Sequence, residues 1–145
     1  MEIYTIGFTK RSAADFFGTL KRAGIRRLID VRLNNTSQLA AYTKRDDLAF
    51  FLRAILDAEY VHKPLLAPTQ DLLDSVKKHR GAWTDYERRF LALMRERAIE
   101  RHLDRNLFDR PAVLLCSEYT ADQCHRRLVA EYLRDHWDSV EIVHL

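Results

Sequence analysis

The chain predicts an α/β fold: a single three-layer domain with a mostly parallel sheet of about five strands flanked by helices. Three observations carry this. Short apolar runs alternate with longer stretches of helical period from end to end. One of those runs, Ala112-Val113-Leu114-Leu115-Cys116, is apolar at every position, as a strand covered on both faces requires. No repeat, low-complexity tract or Pro/Gly/Ser-rich linker interrupts the 145 residues, so 1–145 reads as one domain.

Taken in order, Ile3-Tyr4-Thr5-Ile6 forms a first strand that Gly7 ends. Ser12, with Asp15 three residues on, caps a helix whose apolar stripe is Phe16, Phe17, Leu20 and Ala23, and Gly24 stops it. Leu28-Ile29-Asp30-Val31 is the second strand, and a polar loop follows. Leu48, Phe51, Leu52, Ile55 and Leu56 give 46–58 a helical period. Tyr60-Val61-His62 is a short third strand that Pro64 ends. Pro68-Thr69 opens a helix through Leu72, Leu73 and Val76, closed by Gly81. One long amphipathic helix covers 84–103 and turns Tyr86, Phe90, Leu93, Met94 and Ala98 inward. Residues 112–116 are the fourth strand, 121–136 the last helix and 140–144 the fifth strand.

The composition is that of an ordinary globular chain, with 47% hydrophobic and 31% charged residues. Two cysteines make no disulfide framework and nothing resembles a secretory signal. No apolar run approaches the roughly 20 residues that span a bilayer. A cytoplasmic protein without a membrane partner is therefore expected. The net charge of +3 hints at nucleic acid. However, Arg88, Arg89, Arg95, Arg97, Arg101 and Arg105 are interleaved with Glu87, Glu96, Glu100 and Asp104. Such mixing marks a solvated, ion-paired helix face, so nucleic acid is the weaker partner.

Right-handed crossovers bring the C-terminal ends of parallel strands to one edge. Three loops meet there: 7–12 with Gly7, Lys10 and Arg11; 32–46 with Arg32, Asn34 and Ser37; and 116–120 with Cys116 and Glu118. Their cations, amides and hydroxyls suit a small anionic ligand. Asp30, two residues before Arg32, is costly in an apolar strand unless paired. It is expected to anchor Arg32 or a neighbouring loop, and so to orient the guanidinium.

The third loop leads into the densest cluster of reactive groups. Thr120-x-x-Gln123 fits a capping box, which places Cys124 in the first helical turn or just beyond. Amides and the helix dipole there, beside His125, Arg126 and Arg127, would lower a thiol's pKa. Equally, Cys124, Leu128 and Tyr132 share one helical face and His125, Val129 and Leu133 another, so both residues also suit the core. Cys116 reads as a space-filling residue at a strand end.

Three passages resemble a known family. Tyr4-Thr5-Ile6-Gly7, Leu28-Ile29-Asp30-Val31-Arg32, and Leu115-Cys116-Ser117-Glu118 leading to Cys124-His125-Arg126-Arg127-Leu128 are similar to the domain-of-unknown-function 488 family. Asn34-Asn35-Thr36-Ser37-Gln38-Leu39 and Leu66-Ala67-Pro68-Thr69 resemble one of its branches. Phe8 stands where many members have histidine, so no proton-transfer role is implied at that position. The resemblance implies a small α/β fold and marks Arg32, Glu118, Cys124, His125 and Arg126 as motif residues. It implies no particular reaction.

Four functional readings follow. The leading one is a pocket for a small anionic or nucleotide-like substrate: Arg32 and Arg126 bind the anion, with Gly7, Asn34 and Ser37 lining it. Cys124 or His125 then serves as nucleophile or base, and Glu118 orients or protonates. A sulfur-transfer version rests on 28–32 and a strand ending in Cys116, which resemble the rhodanese fold. Phosphatase chemistry is disfavoured, because neither cysteine has an arginine at Cys-x5-Arg spacing. A nucleic-acid module would use Trp83 and Tyr86 for stacking, although their spacing with Phe90 favours the core. A non-catalytic scaffold would satisfy its polar junction by Arg–carboxylate pairs. A metal set of Cys116, Glu118, Cys124 and His125 is disfavoured, because adjacent helical residues point about 100° apart. No metal and no cofactor is expected.

Overall fold

The structure is a computed structural model that describes residues 1–36, 40–79, 83–118 and 123–145. Five strands form it: β1 (Glu2–Gly7), β2 (Arg27–Asp30), β3 (Glu59–His62), β4 (Ala112–Cys116) and β5 (Glu141–His144). All pairings are parallel, in the order β3-β2-β4-β1-β5. The helices are α1 (Ala13–Arg22), α2 (Arg45–Leu56), α3 (Gln70–His79), α4 (Trp83–Glu96), α5 (Ile99–His102) and α6 (His125–His136).

The alternation of side chains along the strands builds two cores. Ile6, Leu28, Val113 and Leu115 face α1 and α2, packing with Phe16, Phe17, Leu20, Leu48 and Leu52. Ile3, Ile29, Ala112, Leu114 and Cys116 face the other way, against Leu72, Phe90, Met94, Leu128, Val129 and Leu133. This division follows from strand order. The chain steps from β1 to β2 to β3 in one direction, then returns to β4 and β5. Right-handed crossovers put helices of opposite travel on opposite faces. The reversal leaves β4 beside β2, a topological switch point, where ligand crevices of open α/β sheets lie.

Local signals act as expected at several places. The Ser12 hydroxyl accepts the Asp15 amide at 3.0 Å, capping α1. Gly24, at φ 72°, turns the chain out of α1, and the Ile25 amide returns to the Leu20 carbonyl. Thr69 accepts the Leu72 amide at the start of α3.

Two helices differ from expectation. The single helix expected over 84–103 is two, broken at Ala98, which takes φ 50° and donates back to the Arg95 carbonyl. The Arg97 guanidinium at the break donates to the carbonyls of Leu65 and Ala67, each at 2.7 Å. That contact ties α4 to the loop before α3, and the turn swings Ile99 into the core. The last helix begins at His125 rather than at 121, and Cys124 before it is extended, with φ −140°. The cap expected at Thr120 and the stop expected at Gly81 lie outside the described residues. Among the described residues, no helix is long and apolar enough to cross a membrane.

Candidate functional site

A cavity of about 330 Å3 opens at the C-terminal ends of β2 and β4. Its walls include Arg32 and Asn34 after β2, Cys116, Ser117 and Glu118 at the end of β4, Cys124 and His125 at the start of α6, and Trp83 and Tyr86 of α4. That volume is at the small end of ligand pockets, about 300–1,000 Å3.

Arg32 is the most constrained group in it, with 4% of its surface exposed. Its Nε and Nη2 donate to the two Asp30 carboxylate oxygens at 2.8 and 2.9 Å, and Nη2 also donates to the Thr43 carbonyl at 2.7 Å. Asp30 is fully buried. It also accepts the Arg32 amide at 3.1 Å and the Tyr60 hydroxyl at 2.6 Å. Burial, followed by the bond to Asp30, raises the Tyr60 pKa, so the phenol stays a donor. Asn35 in turn donates to the Tyr60 hydroxyl. The guanidinium carbon lies 5.4 Å from the centre of the Phe8 ring, a cation–π contact. Phe8 thus packs against Arg32. Among the described residues, the buried Arg32 Nη1 has no hydrogen-bond partner.

Trp83 supplies a second such donor. Its Nε1 is buried without a hydrogen-bond partner among the described residues. The indole stacks on Tyr86 with ring centres 4.9 Å apart, and the aromatic row continues through Phe90 to the His125 ring. The spacing that suggested three core residues holds for Tyr86 and Phe90, which are buried, whereas Trp83 is a half-buried wall of the cavity. Its position at the first turn of α4, beside the mouth, was not apparent from periodicity.

His125 Nε2 donates to the Val31 carbonyl at 2.7 Å, tying the start of α6 to the end of β2. Burial is the main cause that lowers its pKa to about 4. The ring is therefore neutral at pH 7, and with Nε2 as donor its Nδ1 carries the lone pair.

The two cysteines are bonded to each other: Cys116 at the end of β4 and Cys124 just before α6 form a disulfide. This corrects three expectations. Cys116 does more than fill space, and Cys124 has no free thiolate while the bond is intact. Cys124 also precedes the helix, so the 100° offset that argued against shared coordination with His125 does not apply. A sulfur of each cysteine and a His125 ring nitrogen lie within 4.8 Å of one another. Glu118 stands outside that group, an exposed residue of the cavity wall.

Other expected site residues have different roles. Arg126 is buried and is not one of the cavity's wall residues: Nε donates to the Thr5 hydroxyl at 3.3 Å and Nη1 to the Glu118 carbonyl. Burial lowers its pKa to about 10, which leaves it charged at neutral pH. Gly7 gives clearance, since a methyl group there would overlap the Glu118 carbonyl and lie 2.5 Å from the Arg126 guanidinium. Arg11 turns to Asp15 and the Leu145 carbonyl, and neither it nor Lys10 lines the cavity. Ser37 lies outside the described residues.

Neither a curated protein nor a solved structure matches the chain. The family model described as Domain of unknown function DUF488 matches residues 12–133, and on that coverage the chain belongs to the DUF488 family.

Proposed function

We propose that the cavity binds a small molecule through an oxyanion, a phosphate, sulfate or carboxylate group, held by Arg32 and Trp83. One observation supports this above the rest: two of its wall residues, Arg32 and Trp83, have buried side-chain nitrogens that are unpartnered among the described residues, and both are donors. An unmade buried hydrogen bond costs about 1–3 kcal/mol, and an accepting ligand recovers it. Arg32 has its other donors held by Asp30 and Thr43, so Nη1 is preorganised and loses little freedom on binding. The neutral His125 and Glu118 are both wall residues of this cavity, and in this reading they handle protons. Nucleophilic chemistry at Cys124 would first require its bond to Cys116 to open.

The nucleic-acid reading has less behind it. Arg127 pairs with Glu87 and Glu131, Arg88 with Asp85, and Arg97 with backbone carbonyls, so these cations already have partners on their own surface.

The test is calorimetric titration of the oxidised, metal-free protein with inorganic phosphate, sulfate and adenosine monophosphate. Trp83→Phe keeps the ring and removes the donor. Since a hydrogen bond to a charged group contributes about 1.5–3 kcal/mol, it should weaken binding by about tenfold or more. Arg32→Lys should weaken it comparably, because a lysine lacks the fork that satisfies Asp30 and the cavity together. Binding unchanged in both variants, or no binding of any probe by the wild type, would overturn the proposal; the latter outcome favours a scaffold.

A further inference from the structure

We propose that reduction of the Cys116–Cys124 disulfide creates a three-ligand site for a zinc-class ion, formed by both thiolates and His125 Nδ1. The inference goes beyond oxyanion binding and does not depend on it. Three observations on separate elements converge. The sulfurs, from the end of β4 and the residue before α6, lie with a His125 ring nitrogen inside 4.8 Å. Ligand atoms around a tetrahedral zinc are about 3.5–3.8 Å apart, so after reduction the two sulfurs need only separate from bonding contact to that spacing, with the histidine nitrogen already within 4.8 Å of both. The second observation is the imidazole's outer partner. Nε2–H is held by the Val31 carbonyl, which leaves Nδ1 as the lone-pair nitrogen. Ligating histidines commonly have their second nitrogen fixed this way, which sets the tautomer before the ion arrives. The third is the backbone. Cys116 and Cys124 Cα atoms are 7.2 Å apart, beyond the usual disulfide range of about 4.4–6.8 Å. That spacing suits two sulfurs about 3.8 Å apart around a tetrahedral ion better than two bonded to each other.

Thiolate and imidazole donors suit zinc and other borderline-soft ions. Three protein ligands leave a fourth position for solvent or a small anion, the pattern of reactive rather than purely structural sites. All three ligand residues are cavity walls, together with Arg32. The redox step balances with a dithiol reductant. Two electrons and two protons pass to the Cys116–Cys124 bond, giving two thiols, while the reductant becomes a disulfide. Both thiol protons leave to solvent as the ion binds. Oxidation and metal occupancy then exclude each other at the same two sulfurs.

The experiment compares oxidised protein with protein reduced by a dithiol and freed of it without air. Each is titrated with Co2+ and then Zn2+. The reduced chain should take up one Co2+ with thiolate-to-metal charge-transfer bands, and Zn2+ should displace it. The oxidised chain should show no such bands. Cys116→Ser and Cys124→Ser should each abolish the two-thiolate spectrum. Losing even an outer partner of a ligand typically costs about 10–100-fold in affinity, so His125→Asn should cost at least that. Reduced protein that binds no better than oxidised, or variants that match the wild type, would overturn the site. Should the serine variants fail to fold, alkylation of reduced wild type serves instead. Zn2+ should protect both thiols from iodoacetamide, and equal labelling with and without Zn2+ refutes the site. Phosphate titration of the oxidised protein involves no metal, so each proposal can fail alone.

Discussion

Replacing Arg32 by leucine tests whether the site is held by a buried ion pair or merely decorated by one. In the native protein, Asp30 is fully buried and accepts two charge-assisted bonds from the guanidinium, besides the Tyr60 hydroxyl and one backbone amide. Arg32→Leu removes both guanidinium bonds and the neutralising charge, while the carboxylate stays buried. Breaking one side of a buried pair costs about 3–5 kcal/mol. That is a large part of a typical stability of about 5–15 kcal/mol. Asp30→Asn combined with Arg32→Leu removes both charges. The pair should cost less than the two single changes summed, with a coupling of about 2 kcal/mol or more. Arg32→Lys keeps the charge without the fork and should fall between wild type and leucine. Urea unfolding followed by circular dichroism, with the disulfide intact throughout, measures wild type, the three single variants and the double variant. A cost below about 1 kcal/mol for Arg32→Leu, or strict additivity in the double variant, would refute the assignment of Arg32 as a preorganised group.

Two further outcomes follow from the geometry. His125 has a folded pKa of about 4 against about 6.5 unfolded, so the unfolded chain binds the proton first as pH falls. Its contribution is complete above pH 6.5 and is lost as pH falls toward 4, at most about 3 kcal/mol. Urea unfolding of the oxidised, metal-free protein across that window should show the slope, and His125→Asn should flatten it; equal slopes contradict the assigned burial. Gly7→Ala should destabilise by more than about 3 kcal/mol, because its methyl meets the backbone carbonyl of Glu118 rather than a flexible tip. A melting temperature within a degree or two of wild type would show that the loop yields.

The α/β class was readable because each element carried its own local signal. Ser12 and Gly24 bound α1 through side-chain capping and a left-handed turn, both short-range chemistry. The apolar run 112–116 marked a central strand because burial on both faces leaves no polar position. Local pattern misled where a distant contact decided the outcome. Nothing in the amphipathic period of 84–103 showed that Arg97 would find carbonyls of Leu65 and Ala67, or that the helix would break beside it. The site was legible to the same degree. Arg32, Asn34, Glu118, Cys124 and His125 line one cavity, whereas Arg126 and Gly7 serve the loop behind it. Trp83 was read as core because spacing tells which face of a helix is apolar, not what lies opposite its first turn.

The amino-acid sequence by itself determined the alternation of elements, the apolar central strand and the charged residue types at the strand ends. Propensity, capping and periodicity act over a few residues, so these features are written along the chain. Only the tertiary structure decided that β4 lies between β1 and β2, that Cys116 meets Cys124, and that Arg32 and Trp83, each with a buried nitrogen unpartnered among the described residues, line one cavity. Those outcomes depend on residues tens of positions apart sharing a limited volume, where every buried donor, acceptor and charge is met by whichever neighbour packing brings near.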